Sequence, residues 1–514
     1  MIRTDRSDSS PTAIVSEPAP PLWGAVVVLI VARVVASFVI HLYDDAFITL
    51  RYARNLAEGV GFVYNPGEWI LGTTTPGFGM LLSLFYLVDL PMPGSVVALS
   101  ILCDAATLYL MWRFVCTGPT VERGPSAAAT DRAVIERGIF AFLFIASPIL
   151  SRTSVGGMES SAYLLLSLGA ILLFCADREK SAIALAALSY TFRPEGVILI
   201  GLLVGALLIR HGVRRALIGA AVALAVLAPY LLILYLSYGQ VLSQSVLAKS
   251  ILVQKASVFQ TLRGLLLPEI MMALLLLPAA AGMIITFMAH RHRLRQALRH
   301  PRVIIALWCL LYIAAFAVGR PKIWSWYGQP IYFAVVLFAA IAAAELFVRV
   351  TRGKQFPRLV SALAWSPILG LALWLTLSVV RGKSGVSEHV YKRIEAYSRS
   401  IDPTDTIAAY DIGAIGYHSN AYIYDLAGLV TPEALRFASP DTLLKAIRPD
   451  YYFGFATKSG ATMMMNDPVL RRLYLPEARF AQSGEGLDAL DTATLPTEWV
   501  QEYLLYRRVD GERE

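Results

Sequence analysis

Residues 41–76 read HLYDDAFITLRYARNLAEGVGFVYNPGEWILGTTTP, and the assignment of the whole chain turns on them. They follow directly on the first strongly apolar run, residues 22–40, which is about as long as one bilayer crossing requires. Asp44 and Asp45 stand side by side at the mouth of that run, and a helical pattern then continues to Gly59. An acidic pair in such a place is costly unless it faces water or takes part in chemistry. One use for it is structural, because Asp is a favoured N-cap and either carboxylate suits the start of the next helix. That helix carries Ala46, Leu50 and Ala53 on one side and Arg51 and Arg54 on another. Such an amphipathic segment is expected to lie along a membrane surface, with Asp44 at the boundary between lipid and water.

Composition supports a membrane setting. Of the 514 residues, 56% are hydrophobic and only 16% charged, and the mean hydropathy is +0.58. A soluble domain needs a more charged surface, so the chain reads as a polytopic, all-α membrane protein. The net charge of +8 is no sign of nucleic-acid binding, because the basic residues sit in short loops between apolar runs. Cys103, Cys116, Cys175 and Cys309 all fall in or beside apolar segments, which leaves no disulfide framework and no zinc spacing. Residues 1–21 are polar and rich in Ser and Pro, and are expected to form a disordered cytoplasmic tail before an uncleaved signal-anchor helix.

Further apolar segments lie at 77–91, 94–116, 138–155, 160–176, 181–192, 195–210, 214–236, 267–290, 302–319, 328–349 and 358–380. Basic clusters at 210–215, 291–302 and 349–358 mark cytoplasmic loops. Counting outward puts 41–76, 237–266, 320–327 and everything beyond 381 on the outer face of the plasma membrane, with Glu159 and Arg193–Glu195. Parity holds only if one of 77–91 and 94–116 is short or re-entrant, for about 11 or 12 helices in all. Two charges, Arg33 and Asp104, interrupt apolar runs; either they pair with each other, or Arg33 snorkels and Asp104 sits in a local hydrogen-bonded niche. The transmembrane domain is therefore expected over 22–380. A small α/β domain over 381–514 follows, because strand-like stretches at 405–410, 421–429 and 451–456 alternate with a helix-like one at 440–449.

Polar groups converge on the outer side. Glu159 closes GGME, and Arg193 and Glu195 flank the Pro of RPEG, a break tolerated at membrane depth only where protein or a wet cavity covers it. Lys249 lies in the loop LSQSVLAKSILVQK, and Arg320 and Lys322 lie in GRPKIWSWYGQP. Two cations in a short outer loop run against the positive-inside bias, which a bound anion would explain. Trp324, Trp326 and Tyr327 of that loop suit an interfacial aromatic belt as well as a ligand. A carboxylate can serve as general base on a hydroxyl, cations can stabilise a departing phosphate, and aromatic faces suit sugars and prenyl chains. Together they describe glycosyl transfer from a lipid-phosphate donor. Asp44 and Asp45 could also hold a divalent ion through oxygen ligands, although no spacing requires one.

DDAFITLRYARNLAEGVGFVYNPGE with the GTTTPGF that follows it resembles the first outer loop of GT-C-type membrane glycosyltransferases. It is similar to the branch that includes the mycobacterial terminal β-(1→2)-arabinofuranosyltransferase. GGME, RPEG, the AK of VLAKS and DIGAIGYHSNAYIYDLAGL also look like that branch, whereas Gly77-Phe78 stands where many relatives have an aromatic residue. The resemblance implies transfer of a sugar, pentose or hexose, from a polyprenyl-phosphate donor to an extracytoplasmic glycan, lipid or protein acceptor, usually with inversion. It makes Asp44 the base, with Asp45 assisting, orienting or capping. Glu159 and Glu195 fall to donor or acceptor binding, and Arg193, Lys249 and Lys322 to the donor phosphate; Trp326 and Tyr327 are expected to bind substrate on their aromatic character, apart from the resemblance. A transporter or flippase of lipid-linked sugars is the competing class, favoured by the broken segments near Arg193 and at 77–116. No inverted repeat supports it. An inactive assembly protein on the same fold is the third reading.

Overall fold

The computed structural model describes residues 20–116, 127–252, 256–291, 294–351, 386–437, 439–457, 463–481 and 502–509. The expected segment 358–380 and most of the N-terminal tail lie outside them. The helices run α1 (Pro20–Ser37), α2 (Asp44–Ala57), α3 (Pro76–Leu87), α4 (Gly94–Leu110), α5 (Ala127–Ala146), α6 (Pro148–Val155), α7 (Ser160–Cys175) and α8 (Glu179–Phe192). They continue with α9 (Gly196–His211), α10 (Val213–Tyr238), α11 (Gln244–Leu252), α12 (Val258–Leu266), α13 (Ile270–Ala289), α14 (Leu294–Ala297), α15 (Pro301–Gly319) and α16 (Gln329–Val350). Among the described residues five helices are long and apolar enough to cross a membrane, six if the bent pair α5–α6 is one span, and shorter apolar helices accompany them. The protein is a multi-pass membrane protein. At 12 residues, α3 reaches only roughly 18 Å, so it is the short member of the pair that upset the parity count.

The 60° bend between α5 and α6 has a chemical cause. Pro148 has no N–H to give the Phe144 carbonyl, and the Ile149 N–H turns instead to the Glu269 carboxylate at 3.3 Å. The carbonyls of Phe144 and Ile145 are taken by the buried Arg33 guanidinium at 3.0 and 3.1 Å. Its Nε donates to Asp104 at 3.0 Å. The two intramembrane charges do pair, and the cation also fills the hydrogen bonds that the proline vacates. Elsewhere α13 and α16 touch backbone to backbone: a Cβ on Gly282 would lie 1.9 Å from the Phe338 carbonyl oxygen, so only glycine fits.

The C-terminal part contains α17 (Val386–Ser398), α18 (Gly413–Ser419), α19 (Pro440–Ile447) and α20 (Pro468–Leu473) around one five-stranded sheet. Its strands are β1 (Thr406–Ala409), β2 (Tyr422–Asp425), β3 (Tyr451–Phe455), β4 (Tyr474–Phe480) and β5 (Tyr503–Arg508), in the order β2-β1-β3-β5-β4. The first three are mutually parallel, and β5 pairs antiparallel with both β3 and β4.

Most of α2 is covered, including Arg51, so its cationic side does not lie along a membrane surface as its amphipathic pattern implied. The cover is the C-terminal domain. Arg51 donates to the carbonyls of Gly416 at 2.6 Å and Ala421 at 2.8 Å, and Arg54 to that of Tyr417 at 3.0 Å. Asn65 exchanges two hydrogen bonds with the backbone of Ile423, and the Tyr64 hydroxyl donates to the Ile412 carbonyl at 2.6 Å. A guanidinium buried with its N–H groups aimed at carbonyls is satisfied, which is how a helix with this charge pattern can be enclosed.

Candidate functional site

The carboxylates of α2 do not cap it. Tyr43 occupies the N-cap without a side-chain cap bond, and Asp44 and Asp45 form the first turn. The half-buried Asp44 carboxylate instead accepts hydrogen bonds from the backbone N–H groups of Gly413 (2.7 Å) and Ala414 (2.9 Å). Asp45, also half-buried, has no hydrogen bond or ion pair among the described residues. A third carboxylate, Asp411, arrives two residues beyond the carboxyl end of β1 and accepts from the Tyr503 hydroxyl at 2.6 Å. Burial and the neighbouring Asp411 charge push Asp44 well above the ordinary carboxylate range, against the two amides that pull it down. Burial likewise raises Asp411 to about 6. Among the described residues no group of three or more His, Cys, Asp or Glu is arranged to hold a metal ion.

Tyr43 joins these carboxylates to the GGME motif and to the loop at 320–327. Its N–H donates to the Gly156 carbonyl of GGME at 2.9 Å, and its hydroxyl meets Ser325 Oγ at 2.9 Å. Its ring packs on Trp326, with centroids 4.6 Å apart, and Trp324 stacks on Trp326 at 5.6 Å. Lys322 lies with its ammonium 5.0 Å from the Trp324 ring and is exposed. A shelf of three aromatic rings with a cation at its edge thus adjoins Asp44.

Beneath the shelf, GGME and RPEG meet. Arg193 donates to Glu159 at 2.6 Å and, through two nitrogens, to Glu195 at 3.0 and 3.3 Å. Its third contact is the Trp326 carbonyl at 3.5 Å, and Tyr327 covers its face at 5.0 Å. With 3% of its side chain exposed and two carboxylates on one guanidinium, Arg193 presents no free face to an anion. Lys249 lies on α11, and its side chain falls outside the described residues.

Two site residues escaped the sequence reading. Asp411 opens the DIGAIG motif, and its signal was its place just past a parallel strand, where ligand crevices of such sheets form. Arg152 was absorbed into the apolar run 138–155. It is half-buried in the last turn of α6, within electrostatic reach of Tyr43 and Glu269. Among the described residues it has no hydrogen-bond or ion-pair partner. A cation left free in a helix that already breaks at a proline is the signal that could have found it.

A family model described as a domain of unknown function (DUF8728) matches residues 385–503. No curated protein matches the sequence. ArnT from Cupriavidus metallidurans, bound to undecaprenyl phosphate, is similar with a TM-score of 0.59 at 12% identity, covering 95% of this chain and 97% of that one. Its apo state gives 0.54 and 14%, covering 94% and 98%. The archaeal oligosaccharyltransferase AglB from Archaeoglobus fulgidus, in complex with an inhibitory peptide and a dolichol-phosphate, gives 0.52 at 12% identity, covering 95% and 76%. These neighbours are GT-C glycosyltransferases, and at such identity the likeness is one of fold.

Proposed function

We propose that this chain is an integral membrane glycosyltransferase that moves a pentose or hexose from a polyprenyl-phosphate donor to an extracytoplasmic acceptor, with inversion. The observation that carries the reading is the adjacency of a half-buried, hydrogen-bonded Asp44 to an aromatic shelf edged by the Lys322 ammonium. The GT-C fold supports it, as do neighbours that bind undecaprenyl phosphate and dolichol-phosphate. The first outer loop further favours the arabinofuranosyltransferase branch.

In this mechanism Asp44 takes the proton of the acceptor hydroxyl while that oxygen bonds to the anomeric carbon. The bond from that carbon to the phosphate oxygen breaks, and its electron pair leaves on the prenyl phosphate. Attack from the face opposite the leaving group inverts the centre. Asp45, unpartnered among the described residues, orients the acceptor. Arg152, Lys322 and Lys249 are the cations we assign to the developing phosphate charge. Trp326 and Tyr43 support the sugar or the first prenyl units. Glu159, Arg193, Glu195 and Tyr327 hold Trp326 in place, which keeps them in substrate binding at one remove.

Mass spectrometry of envelope glycans tests the reading. Cells without the protein should lack one sugar, restored by the wild type but not by Asp44→Asn. Identical glycans with and without the protein would contradict it.

A further inference from the structure

Among the described residues, both hydrogen bonds to the Asp44 carboxylate come from the C-terminal domain, 369 and 370 residues away in sequence. The fit is close. A Cβ on Gly413 would lie 1.8 Å from the Asp44 carbonyl oxygen and 2.7 Å from its Oδ2, so glycine alone allows the approach. The turn that presents the two amides starts at Asp411, whose Oδ2 is fixed by the Tyr503 hydroxyl at 2.6 Å. Tyr503 is fixed in turn, because its ring stacks on Phe453 at 4.7 Å across the β3–β5 pairing. A continuous path of contacts therefore runs from the sheet through Tyr503 and Asp411 to the Asp44 carboxylate.

From this geometry we infer that Asp411 is a positioning residue for the proposed transfer, acting through Asp44 by fixing where its carboxylate points. The inference rests on the glycosyl-transfer reading and makes the C-terminal domain part of the reaction centre. The titratable groups facing Asp44 are Asp45 on its own helix, Asp411 after β1, Tyr64 from the first outer loop, Tyr391 from α17 and Tyr503 from β5. His41 stacks on Tyr391 at 4.7 Å.

The test compares Asp411→Asn and Tyr503→Phe with the wild type, using purified full-length protein in detergent with a polyprenyl-phosphate sugar. For Asp411→Asn, kcat should fall about tenfold with both KM values held within about twofold, because the group acts on the transition state and not on substrate. Its acid limb should move down by about half a pH unit or more, since a like charge beside Asp44 is gone. Tyr503→Phe, a milder change that removes one hydroxyl, should lower kcat about threefold or more with KM unchanged. Wild-type kcat and pH profiles in both variants would overturn the inference while leaving glycosyl transfer standing. Should the wild type itself transfer nothing, thermal unfolding against pH decides in its place. Asp411 is raised to about 6 by burial, so the folded wild type holds a proton that the unfolded chain releases near the ordinary value of about 4. Its stability then declines as pH rises through that window, and Asp411→Asn should flatten the decline. Superposed curves for the two proteins would reject the coupling.

Discussion

Asp44 is pulled in two directions, and the balance gives its chemistry a pH signature. Burial and the charge of Asp411 favour its protonated form, the Ala414 and Gly413 amides oppose them, and the net direction is upward. A general base must be ionised, so transfer should be lost as pH falls through a midpoint above the usual carboxylate value of about 4. A pH profile of kcat/KM checks this; an acid limb at or below that value would remove Asp44 as the base. Arg152 makes a second residue-scale prediction. Arg152→Ala should raise the donor KM about tenfold or more, with Arg152→Lys recovering part of the loss, because a point charge replaces a planar fork. Unchanged donor KM in both would assign the phosphate to other cations. Asp44 was legible in the sequence because two adjacent acids after a membrane-length run have few cheap explanations. Arg152 and Asp411 were not, because each acquires its meaning only from a neighbour distant in sequence: Tyr43 for the first, Tyr503 and Asp44 for the second.

The break between α5 and α6 is where a local sequence rule and a long-range charge pair meet. Arg33 serves Asp104 and both carbonyls, whereas Asp104 serves Arg33 alone among the described residues. Leaving one buried charge without its partner costs about 3–5 kcal/mol. Arg33→Leu should therefore destabilise more than Asp104→Leu, since it also strands the Phe144 and Ile145 carbonyls. The double variant should lose less than the sum of the two. Thermal unfolding in detergent measures all three, and strict additivity would show that the pair is energetically idle. Apolar length made most spans readable, and alternation made β1, β2, β3 and α19 readable. The strands β4 and β5 were missed because long-range antiparallel pairing completes them, β5 with β3 and β4 with β5, and Pro476 disguises β4. Helix α18 was missed because Gly413 and Gly416 argue locally against a helix, while contacts with Asp44 and Arg51 require it.

At the scale of the molecule, α2 is enclosed between the membrane helices and the C-terminal sheet, so the first outer loop and that domain share one side of the membrane. We assign that side to the exterior, on the strength of the basic loops opposite. A cysteine in place of the exposed Thr442 should react with an impermeant maleimide in intact cells, and one in place of the exposed Arg214 should not. The reverse pattern would invert the topology and remove an extracytoplasmic acceptor. The central claim, that a carboxylate on α2 activates an acceptor against a prenyl-linked sugar, is tested most directly by counting free polyprenyl phosphate. Purified wild-type protein in detergent, given a polyprenyl-phosphate pentose or hexose and an acceptor glycan, should release it with no sealed membrane present. Asp44→Asn, equally folded, should release about a hundredfold less or lower still. Release at the wild-type rate by that variant, or release by the wild type only across sealed vesicles, would contradict the account.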